Sequence, residues 1–165
     1  PHDRLIEAEI DQATSLFRQV ARPVITVTLQ WNINDRAGLR SDLLPRQLLR
    51  EMLDIIGVTW YIRPHSLQVS ASQGRIYRRI ADVFRSSKSA AIVDEEQPIA
   101  LPAALMRSEG HLTVQSSSVF EAIALNIPSF RFSEDSANSS HHLVTSSTDV
   151  SDFARWIRSL QLRQK

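Results

Sequence analysis

The chain has 165 residues, 42% of them hydrophobic, with 19 basic against 18 acidic side chains and no cysteine. That length suits one core of the usual ~100–200 residues, and the near-balanced charge gives no reason to expect a nucleic-acid partner. Absence of cysteine excludes disulfides, thiolate metal sites and sulfur nucleophiles, and fits a reducing compartment. No apolar run approaches the roughly 20 residues that cross a bilayer, and no basic-then-apolar leader opens the sequence, so a soluble domain is expected.

Ile6, Ile10, Ala13, Phe17 and Val20 recur at steps of three and four, the spacing of one helix face. Residues 1–22 therefore read as a leading amphipathic helix and 23–165 as the α/β domain proper. Val24–Leu29, β-branched and introduced by Pro23, suits a buried strand. Asp42 and Pro45 mark the start of a helix whose buried stripe is Leu44, Leu48, Met52, Ile55 and Ile56, with Gly57 as its stop. Val58–Ile62 reads as a second strand, followed by a polar loop and a basic helix carrying Ile76, Ile80, Val83 and Phe84. Ala90–Val93 is the third strand, and a short helical segment around Leu101–Met106 leads to the fourth, His111–Gln115. A helix over Val119–Leu125, a fifth strand at Pro128–Phe132 and a polar stretch from Ser133 to His142 follow. After a brief strand at Leu143–Val144, the last helix carries Val150, Phe153, Ala154, Ile157 and Leu160. Asp149 and Asp152 stand at its start and Arg163 and Lys165 at its end, as the helix dipole favours. Strands alternating with such helices imply right-handed crossovers and a doubly wound parallel sheet. Sheets of this kind bind ligands beyond the carboxyl ends of their strands, so the strand-to-helix junctions are the places to search.

The richest junction is Gln115-Ser116-Ser117-Ser118-Val-Phe-Glu121-Ala-Ile-Ala-Leu-Asn126-Ile-Pro128. Small hydroxyl residues opening a helix offer hydroxyls and backbone N–H groups to a phosphate without a bulky side chain in the way. The plainer alternative is a capping box between Ser118 and Glu121. Three consecutive serines exceed what capping requires, and Glu121 can accept hydrogen bonds from ribose hydroxyls. From His111 to Phe132 the chain resembles the donor-site segment of GT-B glycosyltransferases, whose usual pattern is a serine pair, Glu-Ala and a Gly-Ile-Pro turn. Asn126 stands where glycine is common and tolerates the same left-handed cap.

The end of the second strand, Trp60-Tyr61-Ile62-Arg63-Pro64-His65-Ser66, resembles the Arg-x-His-Pro strand end of bacterial capsule and lipopolysaccharide transferases that use CMP-linked sugars, including Kdo and sialyl transferases. Ser66 stands where those families have proline. The resemblance, over about Pro23–Phe132, implies the Rossmann-like, donor-binding half of a GT-B fold. It implies His65 as the catalytic residue on the departing nucleotide, with Arg63, Ser116, Ser117, Ser118, Glu121, Gln30 and Gln97 binding the donor. Protein donors then replace a metal, and no cofactor is expected beyond the nucleotide sugar itself, CMP-linked first and UDP-linked second. The implied partners are that nucleotide sugar, a glycan or glycolipid acceptor, and an N-terminal acceptor-binding domain that supplies the general base. The implied place is the cytoplasm, at the inner membrane surface. Two other readings fit the same architecture: a nucleotide-sugar 2-epimerase, which needs no acceptor, and a non-catalytic interaction domain.

Other features read as structural. Asp94-Glu95-Glu96 suits a solvated acidic loop. Trp31 and Trp156 suit packing or domain contact. His141 and His142, as chain neighbours, point in different directions and lack the spacing of a shared metal site. Arg75, Arg78, Arg79 and Arg85 suit a solvated helix face, with an anionic acceptor or lipid surface as the alternative.

Overall fold

The first strand explains both layers of the molecule. All five residues of β1 (Val24–Thr28) are buried, as befits a central parallel strand covered on both faces. The computed structural model describes residues 2–30, 44–94, 99–134 and 141–163. In chain order around β1 stand α1 (His2–Phe17), α2 (Arg46–Asp54), β2 (Thr59–Arg63), α3 (Ser66–Ser72), α4 (Arg75–Phe84), β3 (Ala90–Val93) and α5 (Leu101–Met106). They continue with β4 (Gly110–Thr113), α6 (Ser118–Ala124), β5 (Ser129–Arg131), β6 (Val144–Ser146) and α7 (Val150–Leu162). Every strand pair is parallel, in the order β3-β2-β1-β4-β5-β6. The chain therefore winds outward from β1 to β3, then crosses back to lay β4 on the other side of β1. This is the doubly wound sheet that the alternation of elements predicts, with its reversal between β1 and β4.

Period-two alternation sends Ile25 and Val27 to one face and Val24 and Thr26 to the other. On the first face Ile25, Val27, Trp60, Ile62, Leu112 and Phe130 pack against Leu48 and Met52 of α2, Ile80 of α4, and Phe153 and Trp156 of α7. Phe130 and Phe153 meet edge to face at 5.3 Å. The Trp60 indole donates to Ser89 Oγ at 2.7 Å, so its polar atom is satisfied inside the core. Each such ring contributes about 2–3 kcal/mol through its burial. On the second face Val24 and Tyr61 pack with Ala13 and Phe17 of α1 and Ala103 and Ala104 of α5. The leading helix is thus built into the second layer, with Phe17 edge-on to Tyr61 at 5.0 Å.

Gly110 opens β4 directly under α7. A Cβ there would stand 2.8 Å from the Leu160 side chain and 3.0 Å from both Ile25 and Trp156. The glycine is what lets α7 approach the sheet. Gly110→Ala is expected to lower unfolding free energy by about 1–2 kcal/mol through overpacking, measured as a shifted urea midpoint at unchanged slope.

Four expectations are corrected. The polar loop after the second strand is a helix, α3, whose capping the pattern of apolar residues did not reveal. Helix α2 ends at Asp54, so Ile55 is only half-buried and Ile56 is 70% exposed; Gly57, at φ +74°, turns the chain into β2 rather than ending the helix. Ser118 and Glu121 form no capping box: Ser117 is the N-cap of α6 and makes no side-chain cap bond. His141 and His142 do face one another, their rings stacked 4.6 Å apart. Asn126 has φ +59°, the left-handed conformation its side chain tolerates. Asp42, Trp31, Lys165 and Glu95 through Pro98 lie outside the described residues.

Candidate functional site

Strand register brings the carboxyl ends of β1, β2 and β4 to one edge. Thr28, the last residue of β1, pairs with Arg63 of β2 on one side and Thr113 of β4 on the other. Two residues further on stand Gln30, His65 and Gln115, so the ends of β2 and β4 flank the end of β1 and lie about 10 Å apart. From β2 the chain leaves toward the α2, α4 and α7 face, and from β4 toward α6 on the opposite face. His65 thus follows β2 and the serines follow β4, on either side of the end of β1.

His65 is exposed and is the N-cap of α3. Its Nδ1 accepts from the Leu67 N–H at 3.1 Å, while the Gln68 side chain accepts from the His65 N–H at 2.8 Å. With Nδ1 accepting, the neutral ring carries its proton on Nε2 and presents a donor. The cap therefore selects the tautomer suited to an anionic oxygen.

On the other side, Ser116 Oγ accepts from the Ser118 N–H at 3.2 Å, which leaves the Ser116 O–H to donate outward. The N–H groups of Val119 and Phe120 bond to the carbonyls of Ser116 and Ser117. Ser117 is exposed, and Glu121, one turn into α6, is also exposed. The Gln30 side-chain amide donates to the Gln115 carbonyl, tying the end of β1 to the serine turn.

Ser118 was expected among the phosphate contacts but turns inward. It is 4% exposed, and its Oγ lies 2.9 Å from Thr28 Oγ1 and 3.2 Å from His111 Nε2, with Thr28 Oγ1 itself 3.1 Å from that nitrogen. The other ring nitrogen, Nδ1, lies 3.3 Å from Ser129 Oγ, which donates to the Ile127 carbonyl and so accepts from the ring. Nε2 is then the acceptor of the triangle. One hydroxyl donates to it and the other donates to its fellow hydroxyl, so both protons are held inside. Burial pushes the His111 pKa down to about 4, which keeps the ring neutral. Sequence reading missed this residue, because a histidine within an apolar strand carries no signal of which neighbours it will meet.

Arg63 points toward the next loop instead of the crevice. Its guanidinium donates to the Ile99 carbonyl and stands 3.3 Å from Asp94, whose other oxygen accepts from the Ile99 N–H at 3.3 Å. Both backbone groups of Ile99 are therefore held, one by Arg63 and the other by Asp94. Tyr61 lies beneath, its phenol pKa raised by burial and by the Asp94 carboxylate. Gln97 falls outside the described residues. Among the described residues no cluster of three or more His, Asp or Glu is placed to hold a metal ion, and no helix is long and apolar enough to cross a membrane.

No protein-family model and no curated protein matches the chain. Solved structures do. A histidine-to-asparagine variant of the wall teichoic acid polymerase TagF aligns with a TM-score of 0.52 at 16% identity, over 95% of this chain and 40% of that one. A glycosyl transferase family 9 protein from Veillonella parvula aligns with a TM-score of 0.54 at 12% identity, over 87% of this chain and 41% of that one. A TagF variant soaked with CDPG gives 0.51 at 16% identity, over 94% and 37%. The chain thus spans about two fifths of the proteins it resembles, and identities this low speak for the fold alone. Its six-stranded, all-parallel α/β fold is that of a domain within these glycosyltransferase structures.

Proposed function

We propose that this domain binds the nucleotide end of a nucleotide sugar and serves as the donor half of a glycosyltransferase. The observation that carries the reading is the strand order. It puts the reversal between β1 and β4, where such sheets take nucleotides, and the serine turn follows β4 with an imidazole after β2 on the far side of β1. In this reading the phosphate receives the hydroxyls of Ser116 and Ser117 and the Nε2–H of His65, while Glu121 accepts from the ribose hydroxyls. Arg63 and Gln30 act by holding the two rims, and Ser118 by anchoring the turn. The chemical contribution is stabilisation of the nucleotide as negative charge accumulates on it during transfer. The acceptor, a glycan or glycolipid, and the base that deprotonates it belong to a second, acceptor-binding domain.

The resemblance of the Arg63-Pro64-His65 strand end to that of Kdo and sialyl transferases is the ground for proposing a CMP-linked donor, with UDP-linked sugars as the competing class. Titration of CMP, UDP and GDP with amide shifts followed residue by residue tests this. CMP is expected to move Ser116, Ser117 and His65 most. Ser116→Ala and Ser117→Ala are each expected to weaken binding about tenfold or more, the loss of one hydrogen bond to a charged group. Shifts confined to other parts of the domain, or no binding of any of the three, overturn the reading.

A further inference from the structure

The near-neutral total charge conceals two unlike surfaces. Helices α2, α4 and α7 form one layer, because all three supply the core on the same face of the sheet. Between residues 46–54, 75–88 and 150–163, which make up this layer and the turn after α4, stand ten basic and four acidic side chains. Nine basic and fourteen acidic remain for the rest of the chain. The layer is continuous. Lys88 N–H and Ser87 Oγ donate to the Leu53 carbonyl at 3.0 and 3.1 Å, joining the end of α4 to α2. Gln47 donates to Thr148 O at 3.2 Å and Gln161 to Ile56 O at 2.9 Å, joining α2 to both ends of α7.

Arg46, Arg50, Arg75, Arg78, Arg158 and Arg163 are all exposed on this layer. Its ion pairs, Arg85–Asp82, Lys88–Asp54 and Arg155–Asp152, are solvent-exposed and neutralise only part of the charge. At the rim, where α2 and α7 both end, two large aliphatic side chains stand in water: Ile56 at 70% and Leu162 at 68% exposure, on segments joined by the Gln161 bond. The opposite layer carries Glu7, Glu9, Asp11, Glu109 and Glu121 against Arg18, Arg22 and Arg107, so no such excess of basic charge builds up there.

We propose that the α2, α4 and α7 layer docks on an anionic lipid surface, with the arginines meeting headgroup phosphates and Ile56 and Leu162 entering the boundary below them. Three helices laid side by side make a broad face, which suits a planar partner. Aliphatic groups beside the arginines favour lipid over nucleic acid, whose bases would call for exposed aromatic side chains. Among the described residues the one large exposed aromatic, Phe120, lies on the opposite layer, with the exposed Leu16 and Met106, which have no comparable group of arginines beside them.

The test is co-sedimentation of the chain with phosphatidylglycerol vesicles and with phosphatidylcholine vesicles, at low and moderate salt. Binding to the former alone is expected, weakening as salt rises. Arg75→Glu with Arg78→Glu is expected to weaken it about tenfold or more, each charge near such a surface counting for about 1 kcal/mol. Ile56→Ser with Leu162→Ser is expected to weaken it several-fold with the salt dependence kept, and thermal melts verify that the variants are folded. No binding to phosphatidylglycerol, equal binding to phosphatidylcholine, folded variants that bind as the parent does, or tighter binding to a short RNA or DNA duplex each overturn the proposal. None of these outcomes depends on what the crevice binds.

Discussion

Urea unfolding measured at successive pH values is expected to show the domain losing about 3 kcal/mol between pH 6.5 and pH 4 through one side chain, His111. In the folded state burial holds its pKa near 4, while in the unfolded chain the ordinary value near 6.5 returns. Between those limits the unfolded state binds the extra proton, so stability is complete above about pH 6.5, falls as pH drops, and stops falling through this group below pH 4. The size follows from 1.36 kcal/mol for each unit between the two values. Protonation would also put a donor on Nε2, where Thr28 and Ser118 need an acceptor, so the effect is expected to be largest at the start of α6. Asp149 has its pKa lowered by the Ser151 N–H that its side chain caps, and its contribution is lost only in the more acidic range as pH falls through that lowered value. His111→Gln keeps a polar group in the triangle but cannot titrate. It is expected to be less stable at pH 7 and to lose the slope between pH 6.5 and 4; an unchanged slope in a folded variant would assign it elsewhere.

What was legible in the sequence was the part that depends on local pattern. Val24–Thr28 announces a buried strand by its β-branched run, and the steps through Leu48 and Met52 or Phe153, Ile157 and Leu160 announce which helix faces are covered. Each is fixed by residues within a few positions of one another. The serine turn and the His65 strand end were legible for the same reason, since both are short contiguous stretches. Less legible was anything decided across strands. Whether Ser118 faces outward or into the core depends on His111 of the strand before it and on Thr28, which is distant in sequence and brought beside it by the β1–β4 register. Arg63 reads as a ligand by its place in a motif, yet Asp94 and Ile99 take its guanidinium. Helix α3 escaped because its capping group is a histidine, a residue seldom read as an N-cap. Of the basic layer only the stripe of Arg75, Arg78, Arg79 and Arg85 was legible, because the other arginines lie on segments that only the crossovers bring to the same side.

His65→Ser is expected to cut nucleotide affinity by about 10- to 100-fold while leaving the domain nearly as stable as before. The substitution exploits the two jobs of this side chain. As N-cap it supplies an acceptor to the Leu67 N–H, and serine is among the best residues for that task, the more so with Gln68 three positions on to complete the capping box. In the proposed role it supplies an Nε2–H donor to the phosphate, which the short serine side chain cannot extend to the same point. A hydrogen bond to a charged phosphate is worth about 1.5–3 kcal/mol, which corresponds to that range of affinity. His65→Ala removes both functions and is expected to lose in addition about 1 kcal/mol of stability through the missing cap. The contrast separates the two roles: calorimetric titration with CMP reads the first and urea unfolding reads the second. If the serine variant binds CMP as tightly as the parent, His65 only begins a helix. If serine and alanine variants are equally destabilised, the cap lies in the backbone of the turn and not in the imidazole.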